Sequence, residues 1–170
     1  MVQDLTATGK VKAGSQVRFG RVGMGVAAKA GSRPLDMGSV VAFVHALKSA
    51  ETIAYASDGT SGSYFCGLLD RLGIADEVKP KLVAVPGGQT AAAVSRGEAE
   101  LAVVPVTSIL AAAPDVVLAG RFPAELQSYI DFAVGVSADP RDAEAARQLS
   151  AFLTSTAVDD ILTAKGVERR

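Results

Sequence analysis

Ser57-Asp58-Gly59-Thr60-Ser61-Gly62-Ser63-Tyr64 links an apolar run, Thr52 to Ala56, to an amphipathic one, Tyr64 to Leu72. The order reads as strand, loop and helix. Gly59 and Gly62 let the backbone turn tightly and approach a ligand. The helix that follows points unpaired N–H groups and the positive end of its dipole back into the loop. That combination favours an anion. The hydroxyls of Thr60, Ser61, Ser63 and Tyr64 add donors without a full positive charge, which suits a small oxyanion or carboxylate. A plainer reading has Ser57 or Asp58 capping the helix and the glycines merely turning the chain. This loop alone does not separate the two readings. It has neither a Walker lysine nor the spaced glycines of a dinucleotide fingerprint, so nucleotide binding has no support.

The same arrangement recurs further on. Lys81 to Val85 is a β-rich run that leads into Pro86-Gly87-Gly88-Gln89-Thr90 and then an Ala-rich helix ending at Arg96-Gly97. Leu101 to Val104 is another apolar run, followed by Pro105-Val106-Thr107-Ser108 and a helical stretch from Ile109 to Ala113. Three strands are thus expected to end in loops rich in N–H and hydroxyl donors, and in open α/β sheets such ends are where ligands sit. The coincidence of three such ends favours the functional reading. The candidate ligand-binding set is Ser57, Gly59, Thr60, Ser61, Gly62, Ser63, Tyr64, Gly87, Gly88, Gln89, Thr107 and Ser108.

Other segments read as scaffold. Ser39 is placed to cap a helix whose Val40, Phe43, Val44 and Leu47 form an apolar face, with His45 off that face. No Cys or His stands at ligand spacing from this sole histidine, so neither a metal site nor a catalytic residue is assigned. Cys66 has no neighbouring base and reads as a small core residue. Val22 to Ala28 and Phe132 to Ser137 share a glycine-containing apolar texture and read as paired strands through which the chain enters and leaves a central lobe. Arg121 and Glu125 fall in a connecting loop, where Arg121 either faces an anion or pairs with a surface carboxylate. Two helices close the chain, Arg141 to Leu153 and Ala157 to Lys165, with Leu149, Phe152, Leu153, Ile161 and Leu162 on apolar faces.

Composition narrows the class. The chain has 170 residues, 49% of them hydrophobic and 21% charged, with a net charge of −1. It is long enough for one core or two small lobes, and it lacks the basic footprint of a nucleic-acid binder. A single cysteine forms no internal disulfide. The first residues have no basic segment followed by an apolar core, so no export signal is read from them.

Several quoted stretches carry a resemblance across essentially the whole chain. They are Gly9-Lys10-Val11-Lys12-Ala13-Gly14-Ser15, Ile53-Ala54-Tyr55 leading to Gly62-Ser63-Tyr64-Phe65, and Leu68 to Glu77 as Leu-Leu-Asp-Arg-Leu-Gly-Ile-Ala-Asp-Glu. Ala93-Val94-Ser95-Arg96-Gly97-Glu98-Ala99-Glu100-Leu101, Pro123-Ala124-Glu125-Leu126-Gln127, Phe152-Leu153-Thr154-Ser155 and Ala164-Lys165-Gly166 continue it. Together they resemble the type 2 periplasmic solute-binding proteins, and within them the molybdate-binding-protein-like receptors of ABC transporters.

The resemblance implies an α/β fold with one complete lobe, residues 29–131, and a partial second lobe built from 1–28 and 132–170. It implies a small anionic ligand, an ABC transporter membrane subunit as partner, a periplasmic location and no cofactor. Without an export signal in the chain, a cytoplasmic location stands as the alternative. The family's signal peptide and first strand-loop-helix unit have no counterpart in this sequence, so half of the usual cleft is expected to be absent. Where molybdate binders offer a tyrosine, this chain has Val104-Pro105, which argues against molybdate itself. Two other functions remain open: an isomerase of a small unsaturated polycarboxylate, and a truncated homologue that binds nothing. Apolar faces on the last two helices lead to the expectation of a homodimer.

Overall fold

The computed structural model describes residues 2–169. In chain order its elements are α1 (Val2–Ala7), β1 (Val17–Lys29), α2 (Val40–Ser49), β2 (Ile53–Ala56), α3 (Thr60–Arg71), α4 (Ala75–Val78), β3 (Leu82–Val85) and α5 (Thr90–Ser95). There follow β4 (Leu101–Pro105), α6 (Val106–Ala111), β5 (Val116–Arg121), β6 (Tyr129–Val134), α7 (Ala143–Thr154), α8 (Asp159–Ala164) and β7 (Glu168–Arg169). The chain divides into two compact units, Gly23–Tyr129 and the combination of Met1–Val22 with Ile130–Arg170. Residues 1 and 170, the ends of the first lobe expected from the sequence, lie outside the described residues.

The larger unit is a mixed sheet in the order β3-β2-β4-β1-β5 with helices on both faces. Side-chain alternation along the strands explains the layering. Met24, Val26, Ile53, Leu101 and Val103 face one side, where they meet Phe43 and Leu47 of α2 and Phe65, Leu68 and Leu69 of α3. Ala27, Ala54, Ala102 and Val104 face the other side and pack under Ala93 and Val94 of α5 and Ile109 of α6. Small residues on this second face bring the short helices close to the sheet. Strand β2 runs parallel to both neighbours, with Ile53 opposite Leu82 and Leu101. The carboxyl ends of β3, β2 and β4 therefore emerge at one edge.

Local signals in the sequence account for the helix ends. Ser39 Oγ accepts the Ala42 N–H at 3.1 Å and starts α2, as expected from the sequence. Gly73, at φ +67°, ends α3. One expected pairing is narrower than the sequence implies. The sequence pairs Val22–Ala28 with Phe132–Ser137, but within that first stretch Met24–Ala28 faces β4 on one edge and Gly25–Ala28 faces β5 on the other, with Val26 opposite Val103 and Gly120, which leaves only the start of the stretch for β6. β6 still pairs with β1. Texture identified both segments as strands, but it carries no information about which edge each one meets.

In the smaller unit, Gly20 and Arg21 of β1 pair with Arg169 and Glu168 of β7, and Phe19 stacks on Phe132 with centroids 6.1 Å apart. Asp142 caps α7 by accepting the Glu144 and Ala145 N–H groups. No residue of α7 is buried.

Phe43 is fully buried and meets Phe122 edge-on at 4.6 Å. Phe43→Ala is expected to cost about 3–5 kcal/mol, read as a lower urea midpoint at unchanged slope. Val41→Ala, two positions away on the exposed side of α2, is expected to change stability by no more than about 0.5 kcal/mol.

Candidate ligand site at the strand ends

The β2–α3 junction is set by a contact that only glycine allows. A Cβ at Gly62 would lie 1.7 Å from the Ala56 carbonyl oxygen, so the first turn of α3 rests directly on the end of β2. The first bond of this helix from N–H to a carbonyl runs from Ser63 to Gly59, at 3.1 Å. Gly59 occupies the N-cap position, and no side chain caps the helix. The N–H groups of Thr60, Ser61 and Gly62 thus have no partner inside the helix and point out of its start. The helix runs for 12 residues, and its dipole adds positive potential there.

Neighbouring strand ends are tied to this one by hydrogen bonds. Ser57 N–H donates to the Val85 carbonyl at 2.9 Å, and Ser57 Oγ donates to the same oxygen at 3.1 Å. Gly87 N–H donates to Asp58 Oδ1 at 2.6 Å. Gln89 N–H closes a turn onto the Pro86 carbonyl at 3.1 Å, with Gly88 at φ +82°, a conformation that suits glycine. Thr90 opens α5. Its side chain is 1% exposed and its Oγ1 has no hydrogen-bond partner. Together with Gly88, Val104 and Ser108, Thr90 lines a groove of about 240 Å³.

The structure therefore brings the β2, β3 and β4 ends together but distributes the expected donors unevenly. Thr60, Ser61 and Ser63 keep their hydroxyls uncommitted, and so does the Gln89 amide. The Ser57 hydroxyl is spent on Val85. Tyr64 faces inward: its OH donates to the Leu126 carbonyl at 2.8 Å, its ring packs on the core, and the Arg71 guanidinium lies 5.6 Å from the ring centroid. Gly62 serves the close approach described above. Thr107 and Ser108 were expected in a loop, but α6 begins at Val106 and places both in its first turn. Proline at 105 supplies the stop that ends β4, and a helix can start immediately after it.

Groups capable of other chemistry are sparse here. Cys66 is half-buried rather than a core residue, and burial pushes its thiol above the ordinary value against a weaker opposing pull from Lys79. A raised thiol is a poor nucleophile at neutral pH. His45 is exposed on α2. Arg121 ends β5 opposite Gly25 rather than lying in a loop. Among the described residues, no group of three or more His, Cys, Asp or Glu side chains is placed to hold a metal ion. No helix among them is long and apolar enough to cross a membrane.

A parallel three-strand edge ending in donor-bearing turns, with helices on both faces, is the architecture of type 2 solute-binding proteins. The chain belongs to the bacterial extracellular solute-binding protein family, whose model matches residues 1–168. Solved structures agree on the fold. The substrate-binding domain assigned to a molybdenum ABC transporter of Clostridium difficile superposes with TM-score 0.78 at 18% identity, over 99% of this chain and 72% of that one. The periplasmic molybdate-binding protein of Azotobacter vinelandii gives 0.68 at 19% identity, over 98% and 73%. Among curated proteins, an aconitate isomerase from Pseudomonas sp is 30% identical over 152 residues. That match takes in 89% of this chain, which spans 57% of that relative's length.

The Gly62 contact generates a paired prediction. Gly62→Ala drives a methyl group into the Ala56 carbonyl and is expected to cost at least about 1–3 kcal/mol. Gly67→Ala, on the same helix where an added Cβ meets nothing within 4 Å, is expected to stabilise by about 0.5–1 kcal/mol. Thermal melts of the two variants should move in opposite directions.

Proposed function

We propose that this chain forms the ligand-binding part of an extracytoplasmic receptor that delivers a small carboxylate or oxyanion to the membrane subunit of an ABC transporter. The family supports the receptor class, and one observation carries the ligand class: three open N–H groups at the start of α3 stand beside the uncommitted hydroxyls of Thr60 and Ser61. The ligand is held by neutral donors. Gly88, Gln89, Thr107 and Ser108 complete the proposed contact set from the neighbouring strand ends.

A second reading is favoured by the 30% identity to an aconitate isomerase. In that reading the same strand ends bind an unsaturated polycarboxylate and a base moves a proton. Asp58 is the one titratable group within the β2–α3 and β3–α5 turns. The receptor reading is preferred because the family model over residues 1–168 describes a solute-binding protein.

We propose homodimerisation as well. Leu149, Phe152 and Ile161 are 59%, 52% and 58% exposed on α7 and α8, apolar area that a second copy of the chain would bury. A groove of about 660 Å³ runs along the other flank of α7, between Ala143 and Thr154 on the helix and Ser15 and Val136 opposite.

Thermal-shift titration with molybdate, sulfate, phosphate, citrate, aconitate and malonate tests the ligand class. A saturating ligand at about 100 times its dissociation constant should raise the transition by roughly 5–10 °C. Thr60→Ala with Ser61→Ala should cut that affinity by about tenfold and leave the unliganded transition in place, since neither hydroxyl has a partner to lose. An unchanged affinity removes the proposed site, turnover of aconitate selects the isomerase, and no shift with any compound selects a homologue that binds none of them. For the dimer, light scattering at micromolar concentration should give twice the chain mass, and Phe152→Glu should halve it. A monomeric parent chain removes the dimer.

A further inference from the structure

The β2–α3 junction carries one charge, and its sign is the opposite of what an anion receptor needs. Asp58 is exposed and is paired with no Lys or Arg among the described residues. Helix capping does not explain it, because Gly59 holds the cap position and no side chain bonds the open N–H groups of α3. Its Oδ1 instead accepts the Gly87 N–H at 2.6 Å. That bond withdraws Gly87 from the donor set and fixes a carboxylate between the start of α3 and the Pro86–Gln89 turn. Asp58 directly precedes the N-cap Gly59, so an oxyanion with no proton seated at the α3 N–H groups has this carboxylate two residues away along the chain and is repelled by it. A ligand with a hydroxyl beside its carboxylate gives the α3 N–H groups an anion and gives Asp58 a charge-assisted donor.

We propose that Asp58 determines specificity at this site, selecting carboxylic acids that carry their own hydrogen-bond donor over fully deprotonated tetrahedral oxyanions and over acids without such a donor. The proposal rests on the reading that the ligand sits at the start of α3. It separates charge from tether. Asn at position 58 keeps an oxygen for the Gly87 N–H and removes only the charge, so a tether alone is insensitive to Asp58→Asn.

Calorimetric titration of the 170-residue chain with malate, succinate, sulfate and molybdate tests it. Malate and succinate are diacids that differ by one hydroxyl. In the parent chain malate should bind about tenfold tighter than succinate, the worth of one charge-assisted hydrogen bond, and sulfate and molybdate should bind more weakly than either. In Asp58→Asn the malate preference should fall to roughly threefold or less, and sulfate and molybdate should tighten by about tenfold, with a cooperative melting transition retained. Equal binding of malate and succinate by the parent overturns the proposal, as does a preference that survives Asp58→Asn. Failure of malate to bind at millimolar concentration overturns it as well. Thr60→Ala with Ser61→Ala distinguishes the two levels. Binding lost in that variant with a preference indifferent to Asp58 leaves the site and removes the selector. A preference dependent on Asp58 but indifferent to Thr60 and Ser61 keeps the selector and moves the anion away from α3.

Discussion

The absence of a side chain at position 62 sets everything else at this edge. Helix α3 approaches β2 until its first turn would collide with the Ala56 carbonyl if residue 62 were anything larger. Helices normally leave room for a residue that folds back to cap them, and the caps at Ser39 and Asp142 do this for α2 and α7. At α3 the chain turns through Gly59 with no side chain available. Three N–H groups therefore stay open, at a place where the core beneath, formed by Phe65, Leu68 and Leu69, holds the helix rigidly. An open helix start on a mobile element would be satisfied by water. On a helix packed against the core it is a fixed array of donors, the kind of preorganisation that the proposed binding needs.

Rigidity at the edge also needs the strand ends to keep their relative positions. Parallel pairing does part of this, since β2 shares registers with β3 and β4. Bonds from Ser57 and to Asp58 do the rest, fastening the β2–α3 turn to the β3–α5 turn. A comparable substitution holds Met24 of β1: Gln127 Oε1 accepts the Met24 N–H at 2.6 Å and Nε2 donates to the Met24 carbonyl at 3.2 Å. One amide side chain thus stands in for a strand partner, and a Cβ at Gly23 would strike it at 2.9 Å. The polar residues near these turns accordingly fall into two groups, those consumed in holding the turns and those whose side chains hold nothing in place.

That division marks the limit of what the sequence conveys. The strands and the longer helices from Thr52 to Ala113 are legible locally, because apolar runs, glycine stops and cap residues act within a few positions of themselves, whereas the short α4 and the start of α6 are not. The Ser39 cap and the Gly73 stop are of this kind. A hydroxyl's partner is a different matter. Nothing adjacent to Tyr64 announces that its OH will reach the carbonyl of Leu126, or that Ser57 will turn to Val85 while Thr60 and Ser61 stay uncommitted. The same holds for strand edges: Val22 to Ala28 reads as a strand, yet its neighbours β4 and β5 lie far away in sequence. Thr107 and Ser108 were misplaced for a subtler reason, since proline ends a strand and starts a helix with equal ease.

The two units are also unequal in what they can support alone. Every residue of the two packed clusters lies between Met24 and Leu126, on both faces of one sheet. In the smaller unit, burial among the described apolar residues is confined to Val22, Val158 and Val167, and α7, 12 residues long, buries none. Hydrophobic burial is the main force opposing chain entropy, so the larger unit has the means to keep its strand ends in register from its own packing. The smaller unit gains most from a covering surface. The proposed binding at the α3 start and the proposed cover for α7 and α8 are therefore separate physical problems, and a change in one need not disturb the other.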